Sequence, residues 1–133
     1  METITFQIIQ IIIATLLGGI VGIEREEMKK PAGLRTHMLV SMGACLFVLS
    51  SKAFSIDPAR IAAGIVTGIG FIGAGCIIAH GDKVVGVSTA ASLWVTAGIG
   101  LLVGTGNFII PAMATLTTVF ILHVGLLTKK FIK

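Results

Sequence analysis

Charge is scarce in this chain. Only 12% of its 133 residues are Asp, Glu, Lys or Arg, against about 25% in a soluble domain. No charged residue stands between Ile4 and Ile23. This scarcity excludes a water-facing surface over most of the molecule. Cysteine is scarce too: Cys45 and Cys76 lie in apolar runs without CxxC spacing, so they read as small buried hydrophobes. The chain has no HExxH, GxSxG or Walker lysine, and His37, His80 and His123 are widely spaced. Nothing here assembles an enzyme's nucleophile, base or metal set, and the chain is read as non-enzymatic. The first apolar run lacks the basic leader of a signal peptide, Glu2 being the only early charge. It reads as a retained membrane helix.

What is present is oil and glycine. Hydrophobic residues make up 55% of the chain, with 17 glycines and a mean hydropathy of +1.03. Apolar runs near the ~20 residues that cross a ~30 Å hydrocarbon core alternate with short charged stretches. The pattern predicts an all-α membrane protein, a compact bundle of five transmembrane helices in a single domain, 1–133. The helices are expected at about 3–23, 34–54, 58–79, 84–103 and 108–128. The fourth is the shortest apolar stretch. Either it begins near Val84, or 84–89 enters the membrane in another form, buried in protein or lined by water.

Ten Lys and Arg against six acids make the net charge +4. In a soluble protein that would raise nucleic acid as a partner. Here the bases flank hydrophobic spans, where they set topology and touch anionic lipid, so no nucleic acid is expected. With the N-terminus outside and the C-terminus cytoplasmic, Arg25, Lys29, Lys30, Arg35, Lys83, Lys129, Lys130 and Lys133 fall inside. Lys52 and Arg60 fall outside. That split obeys the positive-inside rule and supports an odd number of spans.

Small residues recur at helical spacing. Gly18 with Gly22 and Gly64 with Gly68 form small-xxx-small faces, and Gly73 and Gly75 extend the second; such faces let helices approach closely. Gly68-Ile69-Gly70-Phe71-Ile72-Gly73 also matches a dinucleotide fingerprint. It lacks the preceding strand that the fingerprint requires, so helix packing is the better account.

The polar residues are few enough to weigh singly. Seven charges crowd residues 24–37. Glu24, Arg25, Arg35 and Thr36 stand at the edges of two spans, where pairing of Glu24 with Arg35 would lower the cost of both. Asp57 before Pro58 reads as a helix cap, and Arg60 as a headgroup anchor or its partner. Thr89, with Ser88, Ser92 and Thr96, either lines a polar seam or bonds back to its own helix. Trp94 is a packing anchor or an interface residue. A magnesium cage normally gathers several oxygens. Only Asp57 and Glu2 are acidic on the outer side, so the metal ligands stay unassigned and no cofactor is evident.

Four passages resemble one family. They are Gly18-Gly19-Ile20-Val21-Gly22-Ile23-Glu24-Arg25-Glu26 with Pro31-Ala32-Gly33-Leu34-Arg35-Thr36-His37, then Asp57-Pro58-Ala59-Arg60-Ile61-Ala62. Gly68-Ile69-Gly70-Phe71-Ile72-Gly73-Ala74-Gly75 and Ser88-Thr89-Ala90-Ala91-Ser92-Leu93-Trp94 complete the set. Together they resemble the MgtC/SapB family of bacterial membrane proteins. The resemblance implies a multi-pass protein of the bacterial inner membrane, linked to magnesium-limited growth, stress response and virulence. It marks Glu24, Arg25, Arg35, Asp57, Arg60, Gly73, Thr89 and Trp94 as characteristic positions. It implies regulatory binding to a membrane partner such as the F-type ATP synthase. Apart from the resemblance, the basic loops point to lipid contact, and the thinness of a five-helix bundle to a homo-oligomer, taken as a dimer. The alternative to regulatory binding is a small Mg²⁺ or H⁺ transporter. Many members carry a further cytosolic domain of the ACT type. The chain is therefore expected to be a short SapB-like member or a piece of a longer protein.

Overall fold

The computed structural model describes residues 3–55 and 57–131, the last six of these by backbone alone. Among the described residues the chain forms five helices and one small hairpin. These are α1 (Ile4–Glu27), α2 (Leu34–Ala53), α3 (Pro58–Ala74), β1 (Ile78–His80), β2 (Lys83–Val85), α4 (Val87–Gly104) and α5 (Ile109–Phe131). Three of them, α1, α2 and α4, are long and apolar enough to cross a membrane; α3 and the stretch Ile109–Gly125 of α5 are shorter apolar helices.

The interior mixes an apolar core, including Val21, Leu93, Ile99 and Val103, with polar side chains, and the exterior is strongly apolar. Gln10, His37, Ser41, Thr89 and Thr96 have no exposed surface, while Phe71, Ile109 and Phe120 are 86%, 79% and 69% exposed. Water would penalise so large an apolar exterior. Lipid rewards it, and it leaves polar side chains to bond within the bundle.

Glycine sets the packing of α2. A Cβ on Gly18 would come 2.5 Å from the His37 carbonyl oxygen, and one on Gly22 would come 2.7 Å from the Leu34 Cα. On the other flank, a Cβ on Gly100 would sit 1.9 Å from the Ser41 carbonyl oxygen, and one on Gly104 2.7 Å from the Val48 Cβ. Thus α2 is gripped between α1 and α4 by two glycine pairs, one turn apart in each helix. Beyond this grip, α5 buries Pro111, Thr115 and Thr118, and Phe6 meets Phe108 edge-on at 5.8 Å.

Three boundaries differ from the sequence reading. Helix α1 continues to Glu27, so Glu24 and Arg25 belong to its last turns. The third helix stops at Ala74 rather than 79, and α4 begins at Val87 rather than 84. Between them Ile78 pairs with Val85, Ala79 with Val84 and His80 with Lys83 in an antiparallel hairpin. The hairpin corrects the all-α expectation and answers the question of 84–89. The reasons are local. Val84 and Val85 are β-branched and favour extended backbone. Gly81 has φ 58° at the first of two turn positions, where a type II′ hairpin takes glycine. Gly86, at φ 90°, turns the chain into α4, and a Cβ there would fall 1.8 Å from the Cys76 carbonyl oxygen.

Candidate functional site in the polar interior

The sequence builds the site from the end of one helix and the start of the next. At the end of α1, Lys29 adopts φ 51°. The Lys29 amide then donates to the Glu26 carbonyl, and the Lys30 amide to the Arg25 carbonyl, 3.0 Å each. This is a Schellman stop, here with lysine in the left-handed position that glycine usually holds. It turns the chain back so that Glu26 Oε2 accepts from the Leu34 amide at 3.0 Å. Gly33, the N-cap of α2, has no side chain to do this. A Cβ on Gly33 would fall 1.7 Å from that same carboxylate oxygen, so the Pro31-Ala32-Gly33 turn and Glu26 form one device.

Behind this turn lies a buried ion pair. The Glu24 carboxylate and the Arg25 guanidinium meet in a two-point contact, Nε to Oε2 and Nη2 to Oε1, the second at 2.6 Å. Their side chains are 5% and 4% exposed. The carboxylate is thus neutralised by its chain neighbour. The expected partner, Arg35, is exposed on the first turn of α2 and makes no ion pair with Glu24. The extension of α1 is the cause: it carries both members of the pair into the bundle together.

From there the polar interior runs along α2 and α4. His37 Nδ1 lies 2.9 Å from the Gly33 carbonyl oxygen, and its Nε2 lies 3.0 Å from Ser92 Oγ. The Ser92 hydroxyl lies 2.8 Å from the Thr89 carbonyl oxygen, and the Thr96 hydroxyl donates to the Ser92 carbonyl at 2.7 Å. At the other end of the bundle, the Gln10 amide donates to the Val103 and Gly104 carbonyls at 2.9 and 3.0 Å. Both carbonyls belong to the last turn of α4, where the Val103 oxygen also accepts from the Gly106 amide at 2.9 Å. Ser41 Oγ, Thr89 Oγ1 and Gln10 Oε1 are buried without a hydrogen-bond partner among the described residues.

The predicted site residues therefore separate. Glu24, Arg25 and Thr89 are in the polar interior. Asp57 and Arg60 are exposed at the start of α3, where Asp57 Oδ1 accepts from the Ala59 amide at 3.0 Å as a helix cap. Trp94 is 56% exposed, beside a hollow of about 300 Å³. Thr36 and Arg60 line a groove of about 690 Å³ between α2 and α3, which Gly43, Gly64 and Gly68 leave open. A Cβ at any of these three glycines would have no neighbour within 4 Å. The close packing expected at Gly64 and Gly68 is thus not made among the described residues, because α3 buries only Ile69 and Gly73. A Cβ on Gly73 would lie 3.4 Å from Ala90 Cβ, and one on Gly75 only 3.3 Å from the Ile72 carbonyl of its own segment.

Sequence reasoning passed over Gln10, His37 and Ser41 as site residues, and set Ser92 only in the seam with Thr89. A signal existed for two of them: His37 and Ser41 lie one turn apart on the face that meets Gly18. The His37–Ser92 contact, 55 positions apart, left none.

The same segments carry the kinship. The MgtC family model matches residues 11–131. The chain belongs to the MgtC family. MgtC of Salmonella typhimurium LT2 is 48% identical over 124 residues, 92% of this chain and 52% of the relative. MgtC of Brucella abortus is 46% identical over 122 residues, 90% of this chain and 50% of the relative. YhiD of Escherichia coli K12, whose name proposes magnesium transport, is 42% identical over 127 residues, 88% of this chain and 59% of the relative. The chain thus spans between half and three fifths of these MgtC-family relatives. No solved structure matches it significantly. Family and apolar helices together support a membrane protein.

Proposed function

We propose that this MgtC-family protein is a non-enzymatic, five-span inner-membrane protein, N-terminus outside. It supports growth under magnesium limitation or acid stress by binding another membrane component. The observation that carries this reading is the open groove between α2 and α3. Gly43, Gly64 and Gly68 line it with no close neighbour, although small-residue faces of this kind favour helix–helix contact in lipid. The buried Glu24–Arg25 pair supports a fixed scaffold over a moving carrier, since neither charge is free to follow an ion. A transmembrane helix of a partner or of a second copy fits the groove. The F-type ATP synthase is the partner that the resemblance raises.

Ion transport is the second reading, favoured by the name of the YhiD relative. Among the described residues no group of three or more His, Cys, Asp or Glu is placed to hold a metal. Transport would therefore have to run on hydroxyls and carbonyls.

One paired experiment separates the readings. Gly64→Leu with Gly68→Leu places side chains in the groove at positions where an added Cβ meets nothing within 4 Å. The expected outcome is a folded protein that loses partner recovery and self-association in native membranes. Purified protein in sealed vesicles is expected to show no Mg²⁺ or H⁺ flux. A flux abolished by Asp57→Asn, with association unchanged in the leucine variant, would replace the binding reading by transport.

A further inference from the structure

Ser92 holds one hydroxyl proton between two acceptors. Its Oγ is 2.8 Å from the Thr89 carbonyl oxygen and 3.0 Å from His37 Nε2. Gly33 supplies only a carbonyl to Nδ1 at 2.9 Å, and a carbonyl accepts and never donates. Nδ1 must therefore carry a proton in every state, which fixes the tautomer of the neutral ring as Nδ1–H.

Two arrangements satisfy these contacts. With the ring neutral, Nε2 is a bare acceptor and the Ser92 proton turns toward it, leaving the Thr89 carbonyl. With the ring charged, Nε2–H donates to Ser92 Oγ, and the Ser92 proton turns to the Thr89 carbonyl. One proton is taken from water and none is lost. Ser92 keeps its own and moves it by rotation about Cβ–Oγ.

We propose that His37 is a proton-binding site of the bundle, and that Ser92 reports its occupancy to the Thr89 carbonyl in the first turn of α4. The surroundings suit a single titrating group. From α1, Glu24 and Arg25 are the charges that act on the ring, and they are locked to each other. On α2 itself, Arg35 is exposed. Helix α4 carries no ionisable residue from Val87 to Gly104. At α3, Asp57 is the N-cap and Arg60 stands in the first turn, both exposed. Tight packing makes the relay specific: His37 and Ser92 are 0% and 3% exposed, and Gly18 brings α1 against the His37 carbonyl. The inference concerns the inside of the bundle and stands whether or not the groove binds a partner.

The test is nitrogen and carbon NMR of the full chain in lipid vesicles, with His80→Gln and His123→Gln leaving His37 as the one imidazole. Spectra are taken across roughly pH 5 to 8, the window in which histidine switches. Nδ1 should be protonated throughout. Nε2 should change from bare to N–H as pH falls, and the Thr89 carbonyl signal should move with the same midpoint. In Ser92→Ala, His37 should still titrate and the Thr89 response should vanish. A neutral ring protonated at Nε2, a ring that stays in one state while the amide spectrum shows a folded protein, or a Thr89 response that survives Ser92→Ala would each overturn the proposal.

Discussion

At the scale of the residue, burial decides what a charge is worth. Glu24 and Arg25 have lost their water and hold each other. Removing one partner leaves the other uncompensated, which costs about 3–5 kcal/mol, whereas replacing both by apolar residues of similar size is close to neutral. Arg25→Met is therefore expected to be strongly destabilising. The double change Glu24→Leu with Arg25→Met should recover most of the loss, as read from unfolding midpoints in detergent. Equal loss in the single and double variants would mean that the pair adds stability of its own. Gln10 makes a related point in neutral form. Its amide closes two carbonyls of α4 while its Oε1 stays unpartnered, which fits the modest worth of interhelical hydrogen bonds in lipid, averaging about 0.6 kcal/mol.

At the scale of the element, helix ends do more here than helix middles. The stop after α1 uses Lys29 in the left-handed region at φ 51°, a conformation that costs a side-chain-bearing residue about 1–2 kcal/mol. Lys29→Gly is expected to stabilise the protein by about 1 kcal/mol at most, since glycine also gains freedom when unfolded. A higher thermal midpoint in Lys29→Gly checks it. A fall would mean that the lysine side chain contributes more than its backbone costs. The same turn explains why Gly33 precedes α2: the Glu26 carboxylate occupies the space of its missing Cβ and caps the helix in its place. Helix α3 is the contrasting element. It is capped by Asp57 and opened by Pro58, yet it buries only two residues, so its apolar face is left to lipid or to a partner.

At the scale of the whole molecule, hydroxyls, an imidazole and an ion pair share the interior with leucine, valine and alanine, while isoleucine and phenylalanine cover the outside. The proposed orientation rests on the eight-to-two division of Lys and Arg under the positive-inside rule. A reporter fused after Lys133 is expected to read cytoplasmic and one before Met1 to read external. Matching locations for the two termini would require an even number of spans.

Much of this was legible from residues alone. A charge at a span must sit at an edge or find a partner, and the chain's 12% of charged residues is gathered mostly between the apolar runs. Hydropathy placed the apolar helices because the cost of burying charge in hydrocarbon is large and local. The small-residue pattern marked Gly18 and Gly22 as a close-approach face, and the Asp-Pro pair marked the start of α3. What composition and spacing left open were contacts between distant segments. Arg25 rather than Arg35 is the partner of Glu24 because α1 runs one turn further than its apolar stretch. Residues 78–85 form a hairpin because two glycines at positive φ bracket β-branched residues. The meeting of His37 with Ser92 depends on how closely α2 is held by Gly18 and Gly100. Transfer free energy is a property of each side chain, so the sequence by itself determined which segments seek lipid. Hydrogen bonds need two groups in register, so only the tertiary structure decided which polar atoms share the interior.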